Sequence, residues 1–409
     1  MQQQRDLDYA EVLMKPLTAT VAVSYRGQLD IESLVAAYRQ LCCRHSILSA
    51  RIHAKDAGFE LSVGDDPNPK LSVLTGDEET LWDTARGSWD DTEGVVQLIV
   101  VHAENRGYIA IRHSHAIMDG GVTFPLLSEL WAIYTDLAAG RPMQNVARDE
   151  LSIGPADLLS TRWTETSPIP VPQPAEVPAD SGSGAFDPGV SRRLTLSEKD
   201  TDRLLGVARA QSVTVGGLLT GATVLATTKL TGPPPSGIVT ILAGIDLRRH
   251  LEPPVPVTRT ANLYGRSIAD VNAGPDATAT SIAREVNDQQ RAALRTRNLE
   301  IAGVDNPGYQ PRTLAGYFIV NNYGILPSFP PSGSVRIVDF TVMPAVDMSA
   351  AQFYYQRFYT FDGRINSFMT YPSRFSGEPI ELVVANFLRE LTAITGTTPE
   401  LADKDFHRY

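Results

Sequence analysis

A chain of 409 residues with 43% hydrophobic content can bury large cores, and its length predicts two or more domains. The formal net charge is -11 and no run of basic residues occurs, which argues against nucleic-acid binding because such binding usually leaves a basic footprint. An acidic protein partner would need a local basic surface that the overall charge does not reveal.

The sequence also argues against a membrane span and against export. No run of 18 apolar residues occurs, and the first residues lack the charged-then-apolar layout of a secretory signal. The adjacent Cys42 and Cys43 are poorly placed for a mutual disulfide and are interpreted as reduced thiols. We therefore expect a cytoplasmic protein.

The first 140 residues predict a mixed α/β domain. Asp30 is expected to cap a helix with an apolar face, and Lys55 to Gly58 are expected to turn a hairpin. Since strands paired as hairpins leave one sheet face uncovered, helices must cover it. The predicted strands are 17–25, 49–53, 59–63 and 95–102.

The most informative stretch, 108–134, changes its periodicity halfway. It begins with the two-residue alternation of a strand, which ends at His113-Ser114-His115. A tight turn closed by Asp119-Gly120-Gly121 follows, and apolar residues then recur at helical spacing. Because side chains alternate along a strand, the two histidines are predicted on one side and Ser114 on the other.

Residues 141–190 predict an interdomain linker, because prolines recur throughout and a Ser-Gly-Ser-Gly tract lies at 181–184. Residues 191–409 predict a second mixed domain. Ser197 is expected to cap its first helix, and the apolar helix at 215–230 is expected to be buried. Its other predicted elements are strands at 191–196, 238–245, 316–322, 352–361 and 366–371 and helices at 277–294 and 381–395.

Only two of the seven histidines have neighbours that suggest chemistry, because Asp119 and two glycines follow His113 and His115. A zinc site is disfavoured, since the acid comes four residues after the second histidine and few ligands remain downstream. We therefore predict no metal. The remaining histidines are interpreted as structural or surface residues: His45, His53, His102, His250 and His407.

Two interpretations of the motif stay open on its spacing alone. In one, the strand ends in polar residues and Asp119-Gly120 supplies an ordinary turn. In the other, His115 is a general base, since an imidazole changes protonation near neutral pH. The helix that follows would then offer free backbone N–H groups, at Gly120 and Gly121, to a developing oxyanion.

Five stretches of the sequence resemble one family. Ser114 to Gly120 is similar to the H-H-x-x-x-D-G motif of the chloramphenicol-acetyltransferase-like superfamily, which includes peptide-synthetase condensation domains. The blocks Ile245 to Val255 and Thr260 to Gly265, with Asn321-Asn322-Tyr323-Gly324, resemble the branch of polyketide-associated acyltransferases, typified by phthiocerol dimycocerosyl transferase. Phe375 to Pro379, before the last helix, is likewise typical of that branch.

The resemblance implies a V-shaped pair of similar α/β domains, a pseudo-dimer with an active-site tunnel between them, in a monomer. It implies that His115 is the general base and that Asp119 is structural. Arg248 stands where the family has an arginine, so an Asp119–Arg248 ion pair across the domain junction is expected. The resemblance also implies an acyl thioester donor, on coenzyme A or the phosphopantetheine arm of a carrier protein, and no bound cofactor.

One position departs from the family motif, because Ser114 stands in place of its first histidine. Some acyltransferase branches keep only the second histidine, so activity remains compatible with this change. His113, on the same side as His115, is a neighbour that could fill part of the vacated space. The substrate-binding or oxyanion candidates are Gly120, Gly121, Ser114, His113, Asn262 and Asn322.

The sequence therefore predicts an acyltransferase that moves an acyl group from a thioester to a hydroxyl of a lipid, polyketide or other natural-product acceptor. Two alternatives stay open. One is a stand-alone condensation enzyme of the same fold that forms an amide. The other is a non-catalytic domain that docks carrier proteins, and a cyclase or dehydratase on the same scaffold is a weaker possibility.

Overall fold

In a computed structural model the described residues form two large sheets covered by helices and two small sheets of three and two strands. The structure describes residues 3–64, 69–142, 147–163, 167–168, 189–257, 259, 261–301, 304–305, 317–343, 348 and 353–401. Most of the expected linker, the residues Thr260 and His407, and the ends of two expected strands at Gly316 and Gln352 lie outside the described residues.

The first half builds a small sheet from its first, third and fourth strands, and a larger sheet, with helices on both faces, from its other four strands. Its strands are β1 (Gln3–Asp6), β2 (Thr18–Arg26), β3 (Ala50–Ala54), β4 (Phe59–Val63), β5 (Lys70–Thr75), β6 (Val96–Ala103) and β7 (Arg106–Ser114). Its helices are α1 (Tyr9–Met14), α2 (Ile31–Arg44), α3 (Glu78–Arg86) and α4 (Gly120–Ala138). Helices α2 and α4 pack on one sheet face and α3 on the other, so β7 and the motif at its end are enclosed.

The second half builds a larger sheet. Its helices are α5 (Pro155–Arg162), α6 (Glu198–Ala210), α7 (Val215–Thr231), α8 (Ala279–Thr296) and α9 (Glu378–Thr395). Its strands are β8 (Ser167–Pro168), β9 (Val190–Thr195), β10 (Ile238–Asp246), β11 (Tyr264–Asn272), β12 (Glu300–Ile301), β13 (Val304–Asp305), β14 (Tyr317–Ile325), β15 (Arg336–Met343), β16 (Phe353–Phe361) and β17 (Arg364–Tyr371). Single 3₁₀ turns lie at 46–49, 247–250 and 373–375.

Two principal sheets position the site. One has the strand order β15-β2-β7-β6-β5 and the other the order β12-β11-β10-β14-β16-β17-β9. In the second sheet β10, β14 and β16 run parallel to one another, so their carboxyl ends lie at one edge. Ligands of α/β proteins commonly bind at such an edge.

Two helices begin at the capping residues that the sequence predicts. Asp30 accepts from Ser33 N at 3.1 Å and caps α2, and Ser197 accepts from Asp200 N at 3.2 Å and caps α6. Helix α7 is buried almost all round, and at Gly221 it approaches α8 so closely that a Cβ would overlap the main chain of Ala279. The expected mixed α/β fold is confirmed.

Two elements do not follow the expected division into 1–140, 141–190 and 191–409. Helix α5 lies inside the segment interpreted as a linker. This segment is folded rather than extended, because Leu158 and Leu159 are buried in one cluster with Leu247. Strand β15 comes from the expected second domain, yet it pairs with β2, from Arg336 opposite Arg26 to Met343 opposite Thr20. The second half thus supplies an edge strand to the first sheet.

Candidate active site

Strand β7 and helix α4 place the motif at the junction of the two halves. The strand ends at Ser114, and the main chain is then fixed by two hydrogen bonds, from His115 N to Leu17 O at 2.8 Å and from Ile117 N to Ser114 O at 3.2 Å. Asp119 occupies the cap position of α4, but its carboxylate makes no cap hydrogen bond. That carboxylate is directed to the other half of the chain instead.

The carboxylate of Asp119 forms a buried ion pair with Arg248, as expected for these two positions. Arg248 Nη1 lies 3.1 and 3.0 Å from the two carboxylate oxygens, and Nη2 lies 3.1 Å from Oδ2. Asp246 accepts from the same guanidinium at 2.9 Å, and Ala261 O accepts from Nη2. Leu263 N donates to Asp119 Oδ2 at 2.8 Å, so a main-chain donor completes the site.

The electrostatics keep this pair charged. The side chain of Arg248 is 0% exposed. Burial by itself lowers the pKa of the guanidinium, but the carboxylates of Asp119 and Asp246 outweigh that effect and hold the pKa above its ordinary value. Removal of either partner would leave an uncompensated buried charge, which costs about 3–5 kcal/mol.

The two motif glycines lie against different neighbours. A Cβ on Gly121 would lie 2.9 Å from Arg248 Nη1 and 3.1 Å from Asp119 Oδ1, so the close approach of the ion pair requires glycine there. A Cβ on Gly120 would lie 3.3 Å from the ring of Tyr323 in β14. Helix α4 therefore begins against the carboxyl edge of the second sheet.

His115 is half-buried and is held by Asn262 from the second half. The Asn262 amide Nδ2 donates to His115 O at 2.7 Å and lies 3.1 Å from the ring Nδ1. Because a carbonyl oxygen only accepts, the atom facing it is the amide nitrogen, and its contact with Nδ1 is a hydrogen bond only when that atom is unprotonated. In this arrangement the neutral ring carries its hydrogen on Nε2. Asn262, a candidate for substrate binding, thus contacts the histidine directly.

His113 is fully enclosed and differs in character from His115. Its ring centroid lies 6.1 Å from that of His115, which agrees with their expected position on one side of the strand. Its Nδ1 lies 3.2 Å from Ser114 O and its Nε2 lies 3.1 Å from Thr123 Oγ1. Burial lowers its pKa to about 4, with a smaller contribution from His115, so His113 is neutral and joins β7 to α4. Ser114 is also buried, and its Oγ has no hydrogen-bond partner among the described residues.

The structure separates Asn322 from the site chemistry and places its neighbour there. Asn322 is exposed, and its Oδ1 accepts from Gly324 N at 2.8 Å in a local turn. Asn321, one residue earlier and on the other sheet face, accepts from Tyr264 OH at 3.3 Å and donates to Tyr355 OH at 2.8 Å. The alternation along β14 could have indicated that only one of the two asparagines faces the motif.

This tyrosine–asparagine cluster is built around Gly244 in β10. A Cβ there would lie 2.6 Å from the Tyr264 ring, so glycine allows the ring to lie across the strand. Burial raises the pKa of Tyr264 to about 12, so its hydroxyl stays protonated and available as a donor. Sequence reasoning did not single out Tyr264, although it lies in the block Thr260 to Gly265, and Tyr355 lies in no motif.

Two negative findings apply to the described part of the chain. No group of three or more histidine, cysteine, aspartate or glutamate side chains there could hold a metal ion. Within the same residues, no single helix has the length and apolar composition to cross a membrane, and the consecutive α6 and α7 meet that test only as a pair, bent by 100°.

The sequence is similar to that of one group of transferases. Residues 188–377 match the family described as the C-terminus of phthiocerol/phthiodiolone dimycocerosyl transferase. The phthiocerol/phthiodiolone dimycocerosyl transferase of Mycobacterium ulcerans (strain Agy99) is 23% identical over 335 residues, covering 77% of this chain and 79% of the relative.

Solved structures share the fold across both halves. Polyketide synthase associated protein 5 from Mycobacterium tuberculosis superposes with a TM-score of 0.75 at 17% identity, covering 95% of this chain and 97% of that protein. The first condensation domain of the calcium-dependent antibiotic synthetase, in complex with a substrate analogue, gives a TM-score of 0.68 at 12% identity and covers 98% of both chains.

The chain has the fold of condensation domains, and its similarity to curated transferases supports an acyltransferase. That similarity is to the phthiocerol/phthiodiolone dimycocerosyl transferases, as the resemblance in its sequence predicted.

Proposed function

We propose that this protein transfers an acyl group from a thioester, on coenzyme A or an acyl carrier protein, to a hydroxyl of a lipid or polyketide acceptor. The observation that carries the proposal is the setting of His115, a half-buried imidazole held by Asn262 beside a buried ion pair. The names of its relatives, dimycocerosyl transferases, support a lipid acceptor and an acyl donor.

In the proposed reaction His115 takes the proton of the acceptor hydroxyl while that oxygen attacks the thioester carbonyl carbon. The carbonyl becomes a tetrahedral oxyanion, for which the N–H groups of Gly120 and Gly121 in the first turn of α4 are candidate donors. When the oxyanion collapses, the carbon–sulfur bond breaks and the thiolate takes the proton from the imidazolium. The products are an ester and a free thiol, so the atoms balance without a further reactant.

The ring must change its tautomer for this reaction. A base at Nε2 needs its own hydrogen on Nδ1, whereas the contact with Asn262 favours hydrogen on Nε2. The bond from Asn262 to the main-chain carbonyl survives this change, so the ring keeps its support. The acceptor hydroxyl at Nε2 would replace the hydrogen bond lost at Nδ1.

The proposal is tested by offering acyl-coenzyme A and acyl-carrier protein with a panel of alcohols and amines, and by identifying products by mass spectrometry. Ester formation with alcohols supports the proposed function. Amides alone would identify the condensation enzyme of the same fold, and no transfer with intact carrier binding would identify a docking domain.

The role of His115 is tested by His115→Ala with His53→Ala as control, since His53 is exposed on β3. General-base help contributes ~10²–10⁴-fold, so the first variant should lose turnover in that range while the control keeps it. A folded His115→Ala protein with full turnover would contradict the assignment.

A further inference from the structure

One loop connects the active site with the surface. The main chain leaves the site at Arg248, which holds Asp119, and returns at Asn262, which holds His115. Val255 N donates to Arg248 O at 3.0 Å, and beyond it Val257 is 42% exposed. At ~3.4 Å per residue, Val257 lies no more than ~7 Å from Val255. The exposed part of the loop is therefore close to the main chain of Arg248.

The loop is packed against the ends of two helices. Arg162, the last residue of α5, donates to Pro253 O at 3.0 Å, and its own carbonyl accepts from Glu252 N. Leu251 is buried in the same cluster as Trp163, which follows α5, and Ala293 in α8. We call the exposed residues of 249–259, with the C-terminal ends of α5 and α8, the loop surface.

The loop surface is basic although the whole chain carries a net charge of -11. Within the loop Arg249 and His250 are exposed and Arg259 is half-exposed, against the single acid Glu252. The end of α8 adds Arg295 and the capping residue Arg297, whereas Arg291 is ion-paired with Asp288 at 2.6 Å. Arg248 adds nothing to this surface charge, because it is buried and paired.

An exposed apolar centre accompanies these charges. Pro253, Pro254, Pro256 and Val257 are exposed between the arginines of the loop. An apolar centre with a charged rim is the usual anatomy of a protein–protein interface, whereas nucleic-acid surfaces are more continuously basic. Since opposite charge steers association, the partner that fits this surface is an acidic protein.

We propose that the loop surface docks an acidic acyl carrier protein that delivers the thioester donor, an inference that rests on the thioester chemistry proposed above. A carrier bound there is close to the loop's own anchor points at Arg248 and Asn262. The same loop would then both recognise the carrier and hold the catalytic histidine.

The test reverses charge at two exposed arginines, Arg249→Glu with Arg295→Glu, and uses Arg39→Glu with Arg209→Glu as a matched control. The control residues are exposed on α2 and α6, away from the loop surface. The probes are an acidic acyl carrier protein with an octanoyl-phosphopantetheine arm, octanoyl-coenzyme A, and the octanoyl thioester of N-acetylcysteamine, which has no phosphate. Carrier binding is also measured directly, by anisotropy of a labelled carrier.

The loop variant should bind the carrier at least about tenfold more weakly than the wild type, raise KM for the acyl-carrier by a similar factor and leave both small donors unaffected. Lysines in place of acids on the carrier should restore binding to the variant. Unchanged carrier binding would overturn the docking proposal. An equal rise in KM for octanoyl-coenzyme A, without a rise for the phosphate-free thioester, would also overturn it and would assign the surface to coenzyme A phosphates. Absence of transfer from all three donors would contradict the proposed function, while the binding measurement would still decide the docking surface.

Discussion

At the scale of single residues, the site depends on the three consecutive residues Ala261, Asn262 and Leu263. Ala261 O accepts from Arg248, the Asn262 side chain contacts His115, and Leu263 N donates to Asp119. The contacts of Asn262 and Leu263 cross from the second half of the chain to the motif, and that of Ala261 holds the arginine of the ion pair. The histidine is thereby positioned by residues that lie more than a hundred positions away in the sequence.

Asn262→Ala should lower kcat by about tenfold with little change in KM, because one or two hydrogen bonds at ~1 kcal/mol each hold the ring and its carbonyl. Steady-state kinetics with one fixed donor and acceptor measure this split. Asn322→Ala is the control, since that asparagine is exposed and bonds only within its own turn. Equal effects of the two substitutions would contradict a positioning role for Asn262.

Gly121→Ala should destabilise the protein by about 1–3 kcal/mol, because the added methyl overlaps the packed groups of Arg248 and Asp246. Urea unfolding measures the change in free energy. Gly206→Ala is the contrasting variant, since that glycine is exposed in α6 with no atoms near its Cβ position and should gain ~0.5–1 kcal/mol. A neutral result at Gly121 would show that the ion pair tolerates separation.

At the scale of elements, α2 and α4 are joined by a charged cluster remote from the site. His45 Nε2 lies 2.8 Å from Glu129 in α4, and Nδ1 lies 3.1 Å from Asp149, while Arg44 adds a second contact to Glu129. Burial by itself lowers the pKa of His45, but hydrogen bonds to Asp149 and Glu129 outweigh it and raise the pKa to about 9.

This cluster predicts a pH-dependent stability. Since the folded pKa of His45 lies above its ordinary value near ~6.5, the stabilisation is fully present below that pH and is lost as the pH rises towards 9. The loss should not exceed about 3 kcal/mol at ~1.36 kcal/mol per pKa unit. Urea unfolding between pH 6 and 9.5, repeated with His45→Gln, measures it, and an identical slope in both proteins would contradict the assignment.

How far the sequence predicts the structure also depends on the element. Capping residues such as Asp30 and Ser197 act within three positions, so their helices were predictable. Helix α3 carries an equally local signal, the reciprocal cap of Asp77 and Thr80, and could have been found. The pairing of β15 with β2 is different, because nothing within either strand specifies a partner some three hundred residues away.

The residues of the site also differ in how far the sequence predicts them. Periodicity placed His115 at the end of a strand, but its partners came from elsewhere: Arg248 from a resemblance and Asn262 only as one candidate among several. Spacing could not choose between Asn321 and Asn322, since both stand near a strand end where alternation is easily misassigned by one residue. Their contacts depend on tertiary packing.

At the scale of the whole molecule, the crossing strand β15 joins the two halves. Its Asp339 forms an ion pair with Arg193 in β9, its Phe340 O accepts from Tyr359 in β16, and Trp131 in α4 donates to Pro330 O at 2.7 Å before the strand begins. One segment is therefore hydrogen-bonded into the first sheet and anchored by side chains of the second.

Arg193→Ala should accelerate amide hydrogen exchange in β2, although the substitution lies in the second half of the chain, because β15 loses an anchor and frays from its partner. Exchange mass spectrometry of peptides over 18–26 measures it. Arg203→Ala is the control, since its bonds to Asp200 and Thr397 stay within the second half. Equal protection of β2 in both variants would show that Arg193 does not support the crossing strand.

The crossing strand also has a consequence for the order in which the protein can be completed on the ribosome. β2 is made some three hundred residues before β15, so the edge that pairs with β15 lacks that partner until residue 343 has been synthesised. An unpaired strand edge is a template for pairing with other chains, and nascent domains are exposed to that hazard while they wait. The nascent first half therefore carries an open edge while the intervening residues are made, and its sheet is completed only when much of the second half has emerged.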